Sequence, residues 1–316
     1  MRIFRHYNDL PPEVLGGAVA IGNFDGVHLG HQAVIGEAGT IARAANIPWA
    51  VLTFEPHPRS VFKPNDPPFR LTPFRTKSRH IEALGVDVLV VQHFDKDFSQ
   101  RPAEDFVNRV LGDGLGARHV IAGYDFVFGR GRGGDCDMLL HMGKEKGFDF
   151  TAVSKVTDAQ GEIYSSTRVR NALMNANPRE AAFVLGRSFE VDGRVEHGDA
   201  RGRTIGFATA NIHLDEYIRP ARGVYAVRAG VDAGESTRWL NGVANLGKRP
   251  TFAGEDIVLE AHLFDFAGDL YGRHLRIQLI DYLREERKFD TLEALRAQIG
   301  RDCEKAKRIL SRHPGV

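Results

Sequence analysis

The sequence predicts two domains of different class, a doubly wound α/β domain followed by an antiparallel β-barrel or sandwich with a terminal helix. In the first part of the chain, apolar strand-like runs alternate with segments of helical spacing, which is typical of a parallel sheet covered by helices. After residue 186, short strands are separated only by turn residues, and one amphipathic helix ends the chain. We therefore expect domains at 1–186 and 187–316.

Length, charge and cysteine content restrict the class of protein. The 316 residues are enough for two cores, and 42 basic against 41 acidic residues give a net charge of +1. A nearly neutral chain has no overall field that attracts nucleic acid or a membrane surface. No apolar run is long enough to span a bilayer, no signal peptide is recognisable, and Cys136 and Cys303 lack metal-binding spacing. We expect a cytoplasmic protein that acts on small molecules; its oligomeric state stays open.

The segment 22–31, GNFDGVHLGH, lies between a predicted strand at 18–21 and the start of a helix. A helix N-terminus presents unpaired N–H groups and the positive end of the helix dipole, which suits a polyphosphate. His28 and His31 add donors, and the glycines permit close approach to the backbone. A zinc site and two structural histidines are the alternatives. Phosphate binding is favoured because both imidazoles flank a glycine in one sharp turn.

The remaining elements of the first domain follow the same alternation. Thr72-Pro73 has the capping signature of a helix that would run to Leu84. Further strands are predicted at 49–54, 86–91, 118–122 and 148–153, and further helices at 102–111, from 164 onward and at 177–186. This order predicts a Rossmann-like parallel sheet.

Two loops of this domain carry candidate ligand contacts. His57 and Arg59 follow the strand 49–54 at the end where α/β sheets bind ligands, although the flanking prolines are equally typical of a rigid surface turn. The loop 129–134 contains GxGxxG, but Ser154 stands where a dinucleotide fingerprint has an acidic residue. We reject a dehydrogenase and interpret the loop as a basic segment near a nucleotide, with a plain solvated loop as the alternative.

A third candidate site in this domain is a helix start rich in hydroxyl groups. Thr167 and Arg170 lie one turn apart, so both can reach one phosphate, although hydroxyl groups at such positions are also ordinary helix caps.

In the second domain, the predicted strands are 189–196, 223–229, 239–244, 257–266 and 274–282, and the terminal helix begins at Thr291. The segment 198–211 offers glycine and arginine for phosphates. In its extended part Thr209 and Asn211 point to the same side, as oxygen ligands of Mg²⁺ would, although taken alone they are better explained by an ordinary turn.

Two further segments of this domain contain a candidate base and a candidate phosphate-binding loop. Glu260 interrupts an apolar strand and is a candidate base, although a solvent-facing edge glutamate fits the spacing better. The segment 242–248 matches a Walker A loop until the position of Arg249, where Ser or Thr is needed, so it is not a P-loop.

Together, these motifs resemble the bifunctional bacterial riboflavin kinase/FMN adenylyltransferase family, whose members are also called FAD synthetases. In the first domain the matching segments are 22–31, similar to G-x-FDG-x-H-x-GH, 53–58, 123–126 and 165–170, similar to ISSTxxR. In the second domain they are 206–211, 245–252, 260–262 and 269–272. The motifs occur in the family's order and cover nearly the whole chain.

The resemblance implies two consecutive ATP-dependent reactions. The C-terminal domain would phosphorylate riboflavin to FMN, and the N-terminal nucleotidyltransferase domain would adenylylate FMN to FAD with release of pyrophosphate. His28 and His31 would stabilise charge at the α-phosphate of ATP, Glu260 would be the base for the riboflavin 5′-hydroxyl, and Thr209 and Asn211 would bind Mg²⁺. Residues implied to bind ATP or its phosphates are Gly22, Phe24, Asp25, Gly30, Ser166, Thr167, Arg170, Gly202 and Arg203. Those implied to bind flavin or line a site are His57, Asp125 and Arg249.

Two positions depart from the family pattern. Ala208 stands where the family has proline before the metal-binding threonine, so we expect a less rigid loop with its chemistry intact. Tyr164 replaces Ile or Val, which we expect to alter packing only. A nucleotidyltransferase with another acceptor and a nucleotide sensor without turnover are alternatives. The kinase motifs argue against the first and the intact histidines against the second.

Overall fold

The computed structural model describes residues 1–196, 207–233, 236–251 and 254–312. Two predicted phosphate-binding residues, Gly202 and Arg203, lie outside these ranges. For Arg249, only its place in a strand is described.

Backbone contacts divide the chain into two compact units. The first comprises Met1–Pro67 and Thr72–Ser165, and the second Pro68–Leu71 and Ser166–Val316. This division falls before the helix that starts at Ser166, whereas the sequence pattern changes near residue 186. The two divisions rest on different properties, backbone contacts and sequence pattern, and the domain boundary at residue 186 stays a prediction.

The first unit is built on a parallel sheet. Its strands are β1 (Arg2–Phe4), β2 (Ala18–Ile21), β3 (Trp49–Glu55), β4 (Val88–His93), β5 (His119–Gly123) and β6 (Asp149–Val153). Their spatial order is β1-β4-β3-β2-β5-β6, and every neighbouring pair is parallel. The predicted doubly wound α/β class is confirmed.

Both faces of this sheet are buried, because successive side chains of a strand point to opposite sides. In β2, Ala18 and Ala20 join one core cluster with Val51, whereas Val19 and Ile21 join the cluster on the other side. This arrangement explains why the strands are continuous apolar runs without polar alternation.

Short and long helices connect these strands. They are α1 (Leu29–Ala45), α2 (Pro58–Phe62), α3 (Phe74–Glu82), α4 (Lys96–Ser99), α5 (Ala103–Asp105) and α6 (Cys136–Lys146), with a π-helical stretch at Phe106–Gly114. In the second unit they are α7 (Ser166–Met174), α8 (Pro178–Leu185) and α9 (Leu292–Ser311).

Several local predictions were wrong in detail. The strand predicted at 86–91 is β4, which begins at Val88, and the helix predicted at 102–111 continues as the π-helical stretch. Spacing cannot separate an α-helix from a π-helix over two turns, because both bury nearly the same side chains. Thr72 does not cap α3, whose N-cap is Pro73 without a side-chain bond. The strands β1 and β8 were not predicted: β1 has three residues, two of them exposed, and β8 lies in a segment that was interpreted as a turn or a ligand-binding loop.

The second unit contains an antiparallel sheet with strand order β7-β12-β9-β10-β11-β8. The strands are β7 (Phe189–Arg194), β8 (Ala210–His213), β9 (Gly223–Ala233), β10 (Ser236–Thr251), β11 (Gly254–Leu263) and β12 (His274–Arg284). The sheet curls until its two sides meet at an isolated bridge between Glu196 and Asn211. Helix α9, capped by Thr291 as predicted, packs Cys303, Ala306 and Leu310 against this sheet.

Candidate active sites

The segment 22–31 forms a sharp turn between β2 and the N-terminus of α1. Phe24 and Val27 have φ of 48° and 43°, a left-handed conformation that is unusual for residues with a side chain. The Phe24 ring is buried and lies edge-on to the His31 imidazole, with 5.3 Å between ring centroids. A Cβ at Gly22 would lie 3.0 Å from the Phe24 ring. Gly22 is therefore needed for packing inside the turn, a different reason from the ligand access that the sequence predicted.

His28 and His31 are brought together at the start of α1. Their rings stack with 3.6 Å between centroids and 22° between planes. Nδ1 of His28 accepts the backbone N–H of His31 at 3.2 Å, so His28 caps the helix and carries its ring hydrogen on Nε2. Stacked rings do not converge on one metal ion, which argues against the zinc alternative.

Asp25 and Thr72 hold the turn from its inner side. The Asp25 carboxylate is 2 % exposed and accepts the backbone N–H of Thr72 at 3.0 Å. The Thr72 hydroxyl in turn accepts the backbone N–H of Gly26 at 2.8 Å. The structure thus gives Asp25 a positioning role in the turn, and its predicted contact with ATP stays a prediction.

A buried lysine supports the same turn. Lys77 of α3 is fully buried, and its Nζ lies 2.7 Å from a Glu55 carboxylate oxygen. The ammonium group also donates to the carbonyl of Asn23 at 2.9 Å and to the Thr53 hydroxyl at 3.3 Å. Since Thr53 Oγ1 donates to the same Asn23 carbonyl at 3.2 Å, the turn is fixed to β3 and α3 through one backbone oxygen.

The other predicted residues of the first domain are placed as follows. His57 caps α2, its Nδ1 accepting the backbone N–H of Arg59 at 3.1 Å. Asp125 is exposed in the turn after β5. A Cβ at Gly30 would lie 3.0 Å from the carbonyl oxygen of Tyr164, so Gly30 too serves close packing.

The predicted pyrophosphate residues open α7, which belongs to the second compact unit. Ser166 and Arg170 are half-buried and Thr167 is exposed. The Arg170 Nε donates to the Phe69 carbonyl at 3.0 Å, and its guanidinium lies over the Phe69 ring. Their contact with a phosphate stays a prediction.

In the second unit, three polar residues form a row across neighbouring strands. Glu260 of β11 is paired in register with Asn211 of β8 on one side and with Asn245 of β10 on the other. Directly paired residues of antiparallel strands project to the same face of the sheet, with Cβ atoms about 5 Å apart. Glu260 is therefore not an edge residue, because its strand is paired on both sides and places it between two amide-bearing residues.

A cavity of about 420 Å³ opens where the pairing of β8 with β11 ends, one residue along the chain from Asn211 and Glu260, which do not themselves line it. Its wall includes Thr209 and His262, together with residues of the connection between β11 and β12. The lining residues are Val195, Ala208, Thr209, Ala210, Ala261, His262, Leu263, Phe266, Gly268, Asp269, Leu270 and Tyr271. This volume lies within the range of pockets that hold small ligands, about 300–1,000 Å³.

Neither cysteine is an activated nucleophile. Burial raises the pKa of the Cys136 thiol, with nearby Asp135 adding to the effect, and burial raises the pKa of the Cys303 thiol to about 11. A thiol acts as a nucleophile through its thiolate, whose population falls as the pKa rises. Covalent catalysis through cysteine is disfavoured.

No role in a site was predicted for Thr72, Lys77, Asn245 or His262. Thr72 looked like a helix cap, and Lys77 lies far along the chain from the turn that it supports. For Asn245 and His262 the missing information was the strand register, which only pairing of β10, β11 and β8 provides.

Comparison with known proteins assigns both halves of the chain. A family model described as FAD synthetase matches residues 11–168, and one described as riboflavin kinase matches residues 185–310. The bifunctional riboflavin kinase/FMN adenylyltransferase of Escherichia coli K12 is 42% identical over 303 residues, 96% of each chain. The protein of the same name from Pseudomonas fluorescens is 43% identical over 310 residues, 98% of each chain.

A solved structure supports the same fold over the full length. It is titled a macrolide-efflux protein from Streptococcus pneumoniae, is 31% identical, and superposes with a TM-score of 0.84 over 97% of this chain and 98% of its own. Among the described residues of the present chain, no helix has the length and apolar character needed to cross a membrane.

Proposed function

The chain belongs to the bifunctional riboflavin kinase/FMN adenylyltransferase family, and on that premise we propose which of its residues carry the two reactions. The protein is an ATP-dependent transferase that phosphorylates riboflavin to FMN in its C-terminal domain and adenylylates FMN to FAD in its N-terminal domain. In sequence, we assign 1–186 to the adenylyltransferase and 187–316 to the kinase.

For the adenylyltransferase, His28 and His31 are the residues that act on ATP. Two stacked imidazoles at the N-terminus of α1 support this assignment, because His28 Nδ1 caps the helix and both rings lie at the positive end of the helix dipole. In this reaction a phosphate oxygen of FMN attacks the α-phosphorus of ATP, and the bond to pyrophosphate breaks. Donors at the helix start stabilise the negative charge that develops on the phosphate oxygens.

The implied pyrophosphate contacts of Ser166, Thr167 and Arg170 are part of this proposal, as are contacts of His57 and Asp125 with the flavin or the site. Gly22, Phe24, Asp25 and Gly30 give the turn its shape, and their contact with ATP or its phosphates is also part of this proposal.

For the kinase, Glu260 is the base that takes the proton of the riboflavin 5′-hydroxyl as that oxygen attacks the γ-phosphorus of ATP. The observation that carries this assignment is the row Asn211–Glu260–Asn245 beside a cavity of about 420 Å³. Glu260 lies on a strand that is paired on both sides, which fixes its backbone, and a general base needs such a fixed position.

The residues beside Glu260 fit a magnesium ion. The Thr209 hydroxyl and the Asn211 amide offer hard oxygen donors, and Mg²⁺ is normally bound through few protein groups together with substrate phosphates. When bound, Mg²⁺ neutralises charge on the ATP phosphates. We propose Thr209 and Asn211 as its protein ligands and Arg249, Gly202 and Arg203 as phosphate or flavin contacts.

We further propose that the enzyme works in the cytoplasm on small molecules alone. The two cysteines are free, which is usual for proteins of a reducing compartment.

The proposal is tested by separating the two activities in the intact chain. Flavins formed from riboflavin and Mg·ATP, or from added FMN and Mg·ATP, are separated by chromatography. We expect Glu260→Gln to abolish FMN formation and to retain FAD formation from added FMN. We expect His31→Ala to do the reverse, so that FMN accumulates.

Matched controls are Glu293→Gln on α9 and His93→Ala at the end of β4, because both side chains are exposed. Each control should retain both activities. Parallel loss of both activities in folded Glu260→Gln or His31→Ala protein would contradict the assignment, as would full activity of either variant.

A further inference from the structure

The feature that leads beyond these assignments is the point where the β8–β11 ladder ends. Its last paired residues are Ala210 and Ala261, and Thr209 is therefore the first residue outside the hydrogen-bonded strand. A backbone that leaves a sheet is normally less restrained than one within it. Something other than the ladder must fix Thr209 if its hydroxyl is to meet a ligand in one position.

The side chain of His262 reaches across this gap. Its Nδ1 lies 2.9 Å from the carbonyl oxygen of Ala208. Because a carbonyl oxygen only accepts, Nδ1 carries the hydrogen, and both the neutral Nδ1–H tautomer and the imidazolium can donate it. Thr209 is thus held on both sides, through the ladder at Ala210 and through the imidazole at Ala208.

Aromatic neighbours fix the imidazole in turn. The ring of Phe207 meets it edge-on with 5.1 Å between centroids, and that of Phe264 lies at 6.1 Å with 69° between planes. Phe264 also belongs to the core cluster beneath α9. The donor at residue 262 is therefore connected to the packed interior and does not depend on a mobile side chain.

His262 also lies on the same strand and the same side as the proposed base. Residues two apart in a strand project to one face, so His262 follows Glu260 on the face that carries Asn211. One strand, β11, therefore supplies Glu260 to the row and His262 to the segment that presents Thr209.

We propose that His262 is a positioning residue of the kinase, which fixes the Ala208 carbonyl and thereby the Thr209 hydroxyl before Mg·ATP binds. This inference rests on the proposed roles of Thr209 and Glu260. It also explains how alanine is tolerated at residue 208, since a hydrogen bond restrains the backbone that proline would restrain through φ.

Two substitutions separate the donor from the ring. His262→Asn keeps an N–H donor near the position of Nδ1 and loses the ring, whereas His262→Phe keeps the ring and loses the donor. His274→Phe is the matched control, because it removes another imidazole of the same sheet that bonds Asp192. Circular dichroism of the intact chain and the fluorescence of Trp239, which lies in the same unit as both histidines, report whether each variant is folded.

We expect His262→Phe to raise KM for Mg·ATP in riboflavin phosphorylation by about 2- to 10-fold, the usual net effect of one hydrogen bond, with kcat at saturation nearly unchanged. His262→Asn and His274→Phe should stay close to the wild type. Without nucleotide or metal, hydrogen exchange at the amides of residues 208–210 should become faster by a similar factor in His262→Phe alone.

The inference is overturned if His262→Phe matches the wild type in both readouts, or if His262→Asn loses as much as His262→Phe. The second outcome would mean that the ring acts through packing or by touching the nucleotide itself. Thr209→Ala tests the underlying proposal separately. If that variant phosphorylates riboflavin normally, the metal role of Thr209 fails, while the exchange measurement on the His262 variants still decides whether His262 restrains the segment.

Discussion

Replacing Lys77 by methionine tests whether a buried ion pair holds the adenylyltransferase turn. The substitution keeps the length of the side chain and removes the charge, which leaves the Glu55 carboxylate and the Asn23 carbonyl without the ammonium group. The two side chains of the pair are 1% and 14% exposed, so water can replace little of the lost interaction. Removing one partner of such a pair typically costs about 3–5 kcal/mol of the free energy of unfolding.

The chain offers a selective probe for this measurement. It has two tryptophans, Trp49 buried in the first unit and Trp239 in the second. In a Trp239→Phe background, urea unfolding followed by fluorescence reports the first unit through Trp49 alone. We expect the free energy of unfolding of that unit to fall by about 3–5 kcal/mol in Lys77→Met and by less than about 0.5 kcal/mol in the exposed control Lys144→Met.

A second substitution identifies the cause. If the loss of the ammonium group beside the carboxylate dominates, Lys77→Met combined with Glu55→Gln should recover part of the lost free energy, and the two substitutions should not be additive. FMN adenylylation should fall in Lys77→Met while riboflavin phosphorylation stays normal. A loss below about 1 kcal/mol, or additive effects of the two substitutions, would refute the reasoning from the buried pair.

Three further predictions concern other parts of the chain. Ala208→Pro should slow hydrogen exchange at Thr209, because proline restricts φ of the segment, and faster exchange would contradict this. Burial lowers the pKa of His119 in the folded protein. The neutral imidazole therefore contributes stability above the unfolded pKa of 6.5, and this contribution is lost as the pH falls through the lower folded pKa. His119→Gln should reduce the decrease of the urea unfolding midpoint between pH 7.5 and 5.5. A decrease as large as that of the wild type would contradict this prediction. The pKa of Cys303 is raised to about 11, so iodoacetamide at pH 8 should modify it slowly until urea unfolds the second unit; rapid modification of the folded protein would disagree.

Sequence reasoning succeeded where the determining interactions are local. The strand, turn and helix around His28 and His31 lie within 28 consecutive residues, from Ala18 to Ala45, and follow from apolar spacing and glycine positions. The start of α9 at its Thr291 cap is predicted by the same kind of short-range signal. The change from alternating elements to strands alone was enough to predict both fold classes.

Residues whose role depends on distant partners were not predictable in this way. Lys77 reads as one more polar residue of a helix, because its contact with Asn23 spans 54 positions. Glu260 looked like an edge residue until pairing of β11 with both β8 and β10 placed it in the sheet. The Thr72 hydroxyl was correctly predicted to accept a backbone N–H. Its partner, however, is Gly26 of a distant turn and not the helix that follows.

The bridge between Glu196 and Asn211 has a consequence for how this enzyme can change. The backbone N–H of Glu196 donates to the carbonyl of Asn211 at 2.9 Å, so this bond fixes Asn211 from the side of β7. Asn211 is therefore paired with two segments, with Glu196 here and with Glu260 through the β8–β11 ladder, so its position is determined twice. A substitution that weakens one of these contacts leaves the other in place, and the amide beside the base can keep its position while other parts of the domain diverge among homologues.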